Sequence, residues 1–497
     1  MTKIQLFAFN TWTAATTFVV HSHLMFEGLL PYFEHTKAVP PTEGQRKFFH
    51  YAEAFLNSQK ERCLLLLKGY AGTGKTTVLS ALISYAKAQG LSVVVLAPTG
   101  RAAKVISGYS GFTAFTIHKY IYEQVHDKYG GFKVELKPNL LRHALFVVDE
   151  ASMIAAEEDA SSYSVTGSLL SDLLAFVFDR PGNKLILSGD TAQLPPVGSD
   201  KSYALQLSWL RLMHQLTAAE VELTEVVRQE DQSGVLKNAT LLRKSITEDK
   251  NEFQFSLPAP DISPLSSYDL QDTMESAYGQ YGRDGVMLIT KSNKRANEYN
   301  KQIRARMLYF DAEICEDDYL MVVKNNYFWF TQNQVEGSFI ANGDIIRVLR
   351  IRGTQEAFGL KFMDMRVELI DYGLELEVKI CLDVLASESS ALPAEKSQQL
   401  FEELKIFYAG ETSKRAVMKK IKEDEFYNAL QVKFAYAVTC HKSQGGQWPV
   451  VFVDQGYLPD DQVNTAYLRW LYTAITRSTE RVYLLNFDER FVSPESY

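Results

Sequence analysis

Apolar positions in this chain fall into short runs, most of them ending on a Gly, Pro, Asp or Thr. They are CLLLLKG (63–69), SVVVLAPT (92–99), ALFVVDE (144–150), KLILSGD (184–190), GVMLIT (285–290), PVVFVD (449–454) and RVYLLNF (481–487). Apolar runs without alternation are the pattern of strands covered on both faces, as in a parallel sheet. Helical spacing fills the gaps, as in TVLSALISYAKAQG (77–90), where Gly90 sits at the expected C′ position. Strand–helix alternation predicts α/β domains, whose functional residues gather at the carboxyl ends of the strands.

Two regions break this rhythm. Residues 119–139 place a Gly-Gly pair between aromatic, partly alternating flanks, which predicts an inserted β-hairpin. In residues 343–381, MDMRVEL and LELEVKI alternate at period two, the signature of half-buried strands in a small barrel or antiparallel sheet. Residues 386–430 are charged with helical spacing and read as an exposed helical insert. LPAPDISPLSSY (257–268) is Pro- and Ser-rich and reads as a linker or surface loop.

Composition narrows the classes. The chain has 497 residues, enough for three or four domains, with 46% hydrophobic and 23% charged residues. This balance excludes a disordered chain, a collagen-like repeat and a bare coiled coil. The net charge of −8 argues against coating nucleic acid by bulk positive charge, so such contacts must be local. Cys63, Cys315, Cys381 and Cys440 form no CxxC pair, which argues against a structural zinc site or a disulfide framework and fits a reducing cytosol. No apolar run reaches about 20 residues, so no membrane span is expected. Residues 5–30 are mildly apolar and match a signal peptide poorly. They read as a surface extension, or as sequence ahead of a start at Met25.

The strongest local chemistry is Gly69-Tyr-Ala-Gly72-Thr73-Gly74-Lys75-Thr76, followed by Thr77. It satisfies G-x-x-x-x-G-K-[ST] between a predicted strand and a predicted helix. The glycines let backbone N–H groups wrap phosphates, Lys75 neutralises their charge, and Thr76 is placed to ligate Mg²⁺. Asp149 and Glu150 end the strand ALFVV, where one carboxylate can hold Mg²⁺ and the other can orient a water. Gln193 follows the next strand, in SGDTAQLPPV. These motifs alone leave a kinase, a transporter ATPase, a recombinase and a helicase all open.

The full set narrows the choice. PTEGQRKFF (41–49), the P-loop, APTGRAAKV (97–105), FTIHKY (115–120), FVVDEAS (146–152), SGDTAQLPPV (188–197), LTEVVRQ (223–229), AVTCHKSQGGQW (437–448) and YTAITRSTERV (472–482) occur in order. This resembles superfamily 1 DNA helicases of the 1B branch, RecD-like and bacteriophage Dda-like, over nearly the whole chain. The resemblance implies two RecA-like P-loop domains with parallel sheets, a β-hairpin pin and a small SH3-like β-barrel. It places Gln45 against adenine, and Gly69, Gly72, Thr73, Gly74, Lys75, Thr76 and Thr77 around the phosphates. Asp149 becomes the metal carboxylate, Glu150 the catalytic base and Gln193 the γ-phosphate sensor. Arg228 and Arg477 become the arginines that reach the γ-phosphate, and Gln444 couples nucleotide to the second motor domain. Pro98, Thr99, Thr116, His118, Thr439, His441 and Lys442 would face single-stranded DNA. Tyr120, Tyr122, Phe328 and Trp329 are candidate stacking residues, with core packing as the alternative.

The expected organisation is an N-terminal extension over 1–40 and a first motor domain over 41–230, with the pin at 121–139. A helical connection covers 231–284, and a second motor domain covers 285–342 and 431–497. The barrel and charged insert fill 343–430. The expected activity is ATP- and Mg²⁺-dependent unwinding with 5′→3′ movement on single-stranded DNA, acting at single-strand/duplex junctions in repair or recombination. No membrane partner is expected, protein partners stay open, and the expected location is cytoplasmic, on the nucleoid in a bacterium. A DNA-stimulated translocase that does not separate strands, or an RNA-directed ATPase, stands as the alternative.

Overall fold

In the computed structural model, the described residues are 28–37, 39–126, 132–156, 165, 167–227, 233–250, 252–326, 328–333, 340–385, 387–389, 391–459 and 462–492. The first 27 residues, Arg228 and the Gly130–Gly131 pair therefore lie outside them.

Two parallel sheets and a closed barrel form the frame. The first sheet contains β1 (Cys63–Gly69), β2 (Val93–Ala97), β3 (Ala114–Thr116), β6 (Leu145–Val148), β7 (Lys184–Gly189) and β8 (Thr217–Leu223), in the order β3-β2-β6-β7-β1-β8. Every adjacent pair is parallel. All four side chains of β6 are buried, as are the first five of β1. The unbroken apolar runs are thus strands covered on both faces.

The hairpin is present as β4 (Tyr122–His126) and β5 (Phe132–Leu136), paired antiparallel. Its base is anchored. The Tyr122 hydroxyl donates to Asp172 Oδ2 at 2.6 Å, and the backbone N–H of Lys137 donates to the Ile121 carbonyl at 2.7 Å. Tyr120 packs edge-on against Phe146 and Phe176, so Tyr120 and Tyr122 are core residues.

The second sheet joins β9 (Ile262–Leu265), β10 (Val286–Thr290), β16 (Ala437–Thr439), β17 (Trp448–Asp454) and β18 (Ser478–Leu485), in the order β16-β10-β17-β18-β9. Here the sequence reading needs correction, because residues 257–268 are not only a loop. Ile262–Leu265 adds a parallel edge strand to β18. Pro264 hid it, yet an edge strand tolerates a residue without an N–H.

The barrel closes from β11 (Tyr319–Val322), β12 (Ile345–Ala357), β13 (Leu360–Leu369), β14 (Leu374–Cys381) and β15 (Leu430–Phe434). It therefore extends beyond the 343–430 segment at both ends. β11 is a four-residue apolar run without alternation, and the alternation of β15 covers only five residues. Trp329 is buried in the barrel core and Phe328 packs against it, the alternative to base stacking. The charged insert forms helices Ala394–Phe407 and Lys414–Lys422, which pack on the barrel through Leu400, Leu404 and Ile421.

A second correction concerns residues 1–40. Helix Leu29–Thr36 buries Leu29 and Phe33, with Phe33 against Phe49 of helix Glu43–Asn57. This part of the N-terminal segment belongs to the core of the first sheet. No helix among the described residues is long and apolar enough to cross a membrane.

Candidate functional site

At the carboxyl end of β1 the chain turns through Tyr70–Gly74 into helix Lys75–Ala88. Gly72 and Gly74 adopt φ of 80° and 81°, a region that favours glycine. A Cβ on Gly74 would also lie 2.6 Å from Gln45 Nε2. The loop holds itself together, with Thr73 Oγ1 donating to the Tyr70 carbonyl at 2.8 Å. Lys75 Nζ donates to the carbonyls of Gly69 at 2.7 Å and Tyr70 at 3.0 Å. An ammonium with three donors that rests on neutral carbonyls can swing to a stronger anionic acceptor.

Gln45 is more committed. It completes the capping box of helix Glu43–Asn57 with Thr42, and its Nε2 donates to the Thr73 carbonyl at 3.2 Å. It lines the cavity wall with its amide already engaged on both atoms, so reading an adenine would require exchange of these bonds.

The cavity beside this loop has a volume of about 430 Å³, in the range of small-ligand sites. Gln45, Gly72, Gly74, Lys75, Thr76, Thr77, Asp149, Glu150, Gln193 and Arg477 all line it. Gly69 and Thr73 stand behind the lining. Asp149 and Glu150 follow β6, and Glu150 takes a left-handed φ of 52°. Burial pushes both carboxyls above their ordinary range. The nearby Lys75 ammonium opposes this at Asp149, and the Arg477 guanidinium opposes it at Glu150. Glu150 Oε2 and Gln193 Oε1 are buried without a hydrogen-bond partner among the described residues. Such unmet acceptors around a phosphate-sized loop fit a cation, a water and a polyphosphate between them. Thr76 and Asp149 are the pair that would hold Mg²⁺, which typically takes one or two carboxylates plus substrate phosphates.

The second sheet supplies the opposite wall. Arg477, 4% exposed, follows helix Thr465–Ile475. It donates to the Thr473 carbonyl at 3.0 Å, to the Gly446 carbonyl at 3.5 Å and to Thr476 Oγ1 at 3.2 Å. Several bonds cross the cleft. Gln444 Nε2 donates to the Leu194 carbonyl at 2.8 Å, and Thr473 Oγ1 accepts from the Leu194 N–H at 2.9 Å. The Tyr472 hydroxyl donates to Asp190 Oδ2 at 2.6 Å and accepts from the Ala71 N–H of the P-loop at 2.9 Å. Arg469 donates to the Thr191 carbonyl at 2.6 Å. Sequence reasoning assigned no role to Tyr472, Thr473, Arg469 or Asp190. Tyr472, Thr473 and Asp190 lie inside quoted motifs, and that membership was their only signal. Arg228 lies outside the described residues.

The residues expected to face a strand lie apart from this cavity. Thr99 caps helix Gly100–Ser110 and accepts from the Ala102 N–H at 3.2 Å, with Pro98 half-buried before it. Thr116 is buried and caps helix Ile117–Ile121, accepting from the Lys119 N–H at 3.1 Å. Burial pulls His118 down to about 4, so this imidazole is neutral near pH 7 and acts as a hydrogen-bonding group, not a cation. Thr439 ends β16, His441 and Lys442 follow it, and all three are half-buried. Gly445 brings the two groups together, since a Cβ there would lie 2.9 Å from Thr99 Oγ1.

Comparison with known proteins agrees with this geometry. The AAA domain family matches residues 42–254, and the UvrD-like helicase C-terminal domain matches residues 434–485. The ATP-dependent RecD2 DNA helicase of Deinococcus radiodurans is 35% identical over 179 residues, 35% of this chain and 21% of that protein. The ATP-dependent DNA helicase dda of Enterobacteria phage T4 is 30% identical over 195 residues, 38% of this chain and 39% of that protein. Over these segments the chain is similar to ATP-dependent DNA helicases. The first sheet carries the AAA match, and the UvrD-like match runs from the end of β15 through β18. The aligned part of the chain spans about a fifth of the length of RecD2 and two fifths of that of dda. Among solved structures, Pif1 helicase from Bacteroides in complex with ADP-AlF3 and ssDNA is 16% identical with a TM-score of 0.47. That likeness covers 92% of this chain and 95% of the Pif1 chain.

Proposed function

We propose that this chain is an ATP-driven DNA helicase that grips single-stranded DNA, moves along it 5′→3′ and separates duplex at the junction. The observation that supports this most strongly is the two-sided cavity. The P-loop and both carboxylates come from one sheet, Arg477 comes from the other, and Gln444, Tyr472 and Thr473 join the walls. A ligand held by both walls favours closure, and its loss favours opening, which is how a nucleotide cycle becomes relative motion.

In this reading Lys75 and the P-loop N–H groups hold the β- and γ-phosphates, and Thr76 and Asp149 hold Mg²⁺, which supplies charge neutralisation when bound. Glu150 accepts a proton from the attacking water, a role suited to a buried carboxyl whose affinity for protons is raised. Gln193 positions that water or the γ-phosphate through its unpaired oxygen. Arg477, with Arg228 from the sequence motif, stabilises charge that builds on the transferring group. Pro98, Thr99, Thr116, His118, Thr439, His441 and Lys442 grip the strand by backbone and hydroxyl contacts that carry no sequence information.

The test is ATP turnover with and without oligo(dT), for the wild type, Lys75→Ala and Glu150→Gln. Turnover should rise with oligo(dT) in the wild type and vanish in Lys75→Ala with strand binding kept. Glu150→Gln should bind nucleotide yet stall in a single turnover. Undiminished turnover by folded Lys75→Ala would reject the assignment, and poly(U) stimulation exceeding that by oligo(dT) would favour the RNA-directed reading.

A further inference from the structure

A second, small pocket lies where the barrel meets the second sheet. Asn293 and Asn297 of helix Asn293–Gln302, Met321 of β11, Lys433 of β15, and Thr439 and Lys442 beside β16 are among the residues lining it. Lys433 and Lys442 both line this pocket, and no Asp or Glu among the described residues does. Lys433 is 5% exposed, and its Nζ donates to the carbonyls of Val384 and Ser387. That uses two of three N–H groups and neutralises no charge. Lys442 is half-buried, with no ion-pair or hydrogen-bond partner among the described residues. Buried charges are ordinarily paired. Burial pulls both lysines down to about 8, and the charge of Lys442 adds to the effect at Lys433.

Another barrel lysine shows the usual solution. Lys379 is also buried, but its Nζ lies 2.6 Å from Asp364 and 3.6 Å from Glu425. The pocket at Lys433 has the cations without the acids, and it opens beside Thr439 and Lys442, residues already expected to face a strand.

We infer that Lys433 and Lys442, with the Thr439 hydroxyl, form an anion subsite that takes one backbone phosphate of the bound strand. The inference rests on the single-strand-binding reading above and adds the barrel to the grip. Lys433 is tied to the barrel carbonyls of Val384 and Ser387, and Asn297 Nδ2 also donates to Ser387 at 3.0 Å. A phosphate held there links strand occupancy to the position of the barrel against the second sheet.

The experiment is equilibrium binding of labelled oligo(dT) across a salt series. Each phosphate contact contributes a slope of about 0.7 in log K against log[salt] for a single strand. Lys433→Met should lower the slope by about 0.7 and weaken low-salt binding by about tenfold, while Lys433→Arg keeps most of both. Lys379→Met, which removes an ammonium that already has its carboxylates, should leave the slope unchanged. An unchanged slope in folded Lys433→Met overturns the subsite. Should Lys433→Met not fold, Lys442→Met decides, and an unchanged slope there overturns it equally. Wild type that binds no oligo(dT) rejects the functional reading itself, a result distinct from wild type that binds with a slope the variants share.

Discussion

Among the described residues, Arg477 donates only to neutral oxygens, of Thr473, Thr476 and Gly446, although it lies close enough to Glu150 to influence its protonation. In the proposed reading, a guanidinium held this way is positioned before the reaction and gains its ionic partner only as charge builds on the transferring group. Arg477→Ala should therefore lower kcat by about 10³-fold, with nucleotide-analogue affinity falling far less. Steady-state turnover beside analogue binding checks this, and lost affinity with normal kcat would make Arg477 a ground-state binder. At this scale the motifs named most of the cavity wall, because glycine, lysine and carboxylate at fixed spacing have few other uses. They did not reveal that Gln45 is tied to Thr42 and Thr73, nor that Tyr472 links Asp190 to the P-loop. The Thr42–Gln45 pair is a local capping box whose spacing could have signalled it, whereas Tyr472 stands 401 positions from Ala71 and 282 from Asp190, and no local pattern encodes those bonds.

The hairpin is an element anchored at one end. Tyr122 is bonded to Asp172, Lys137 Nζ donates to the Lys119 carbonyl at 2.8 Å, and Val134 and Leu136 pack on the core of the first sheet. A rigid base suits a projecting wedge, and none of these contacts reaches the nucleotide cavity. Replacing residues 125–133 with a tight turn should leave oligo(dT)-stimulated turnover intact and reduce forked-duplex unwinding by about tenfold or more, on the order of 1.4 kcal/mol at the separation step. Unwinding and turnover measured on the same preparation check it, and normal unwinding makes the hairpin a scaffold. The hairpin and the long barrel strands were legible because period two and a Gly-Gly turn are strong signals. β9 and β11 were not, since four residues with a proline or an unbroken apolar run look like loop or parallel strand, and the alternation of β15 spans only five residues beside a charged segment of helical spacing.

Across the whole molecule, the barrel also touches the unit built on the first sheet. Gly100 begins the helix after the Pro98–Thr99 turn, and a Cβ there would collide with Asp344 Oδ1 and lie 2.6 Å from the Tyr372 hydroxyl. Lys104 of that helix lies 3.3 Å from Asp371, and Arg101 stacks over Trp448 at 4.1 Å. Burial pushes Asp344 up to about 7, with the Asp371 charge adding to the effect. A carboxyl whose proton affinity is higher folded than unfolded favours folding while protonated, and this contribution is lost as pH rises from about 4 through about 7. Asp344→Asn keeps an acceptor for the Ala341 N–H. It should raise the melting temperature on the order of 5 °C at pH 8 and much less at pH 5. Thermal unfolding at the two pH values checks this, and an equal shift at both would remove Asp344 as the titrating group.

The central claim is that closure of the two-sheet cavity drives directed movement along one strand. The chemistry of the cavity is the same for either direction, so polarity rests on the small hairpin and the barrel, the inserts typical of the 1B branch. The most direct measurement is unwinding of duplexes carrying either a 5′ or a 3′ single-stranded tail, at matched tail length, salt and ATP. Salt is fixed because phosphate-dominated binding depends steeply on it. The account predicts ATP-dependent unwinding of the 5′-tailed duplex and little activity on the 3′-tailed one. Efficient unwinding of the 3′-tailed duplex with an idle 5′-tailed partner would contradict it.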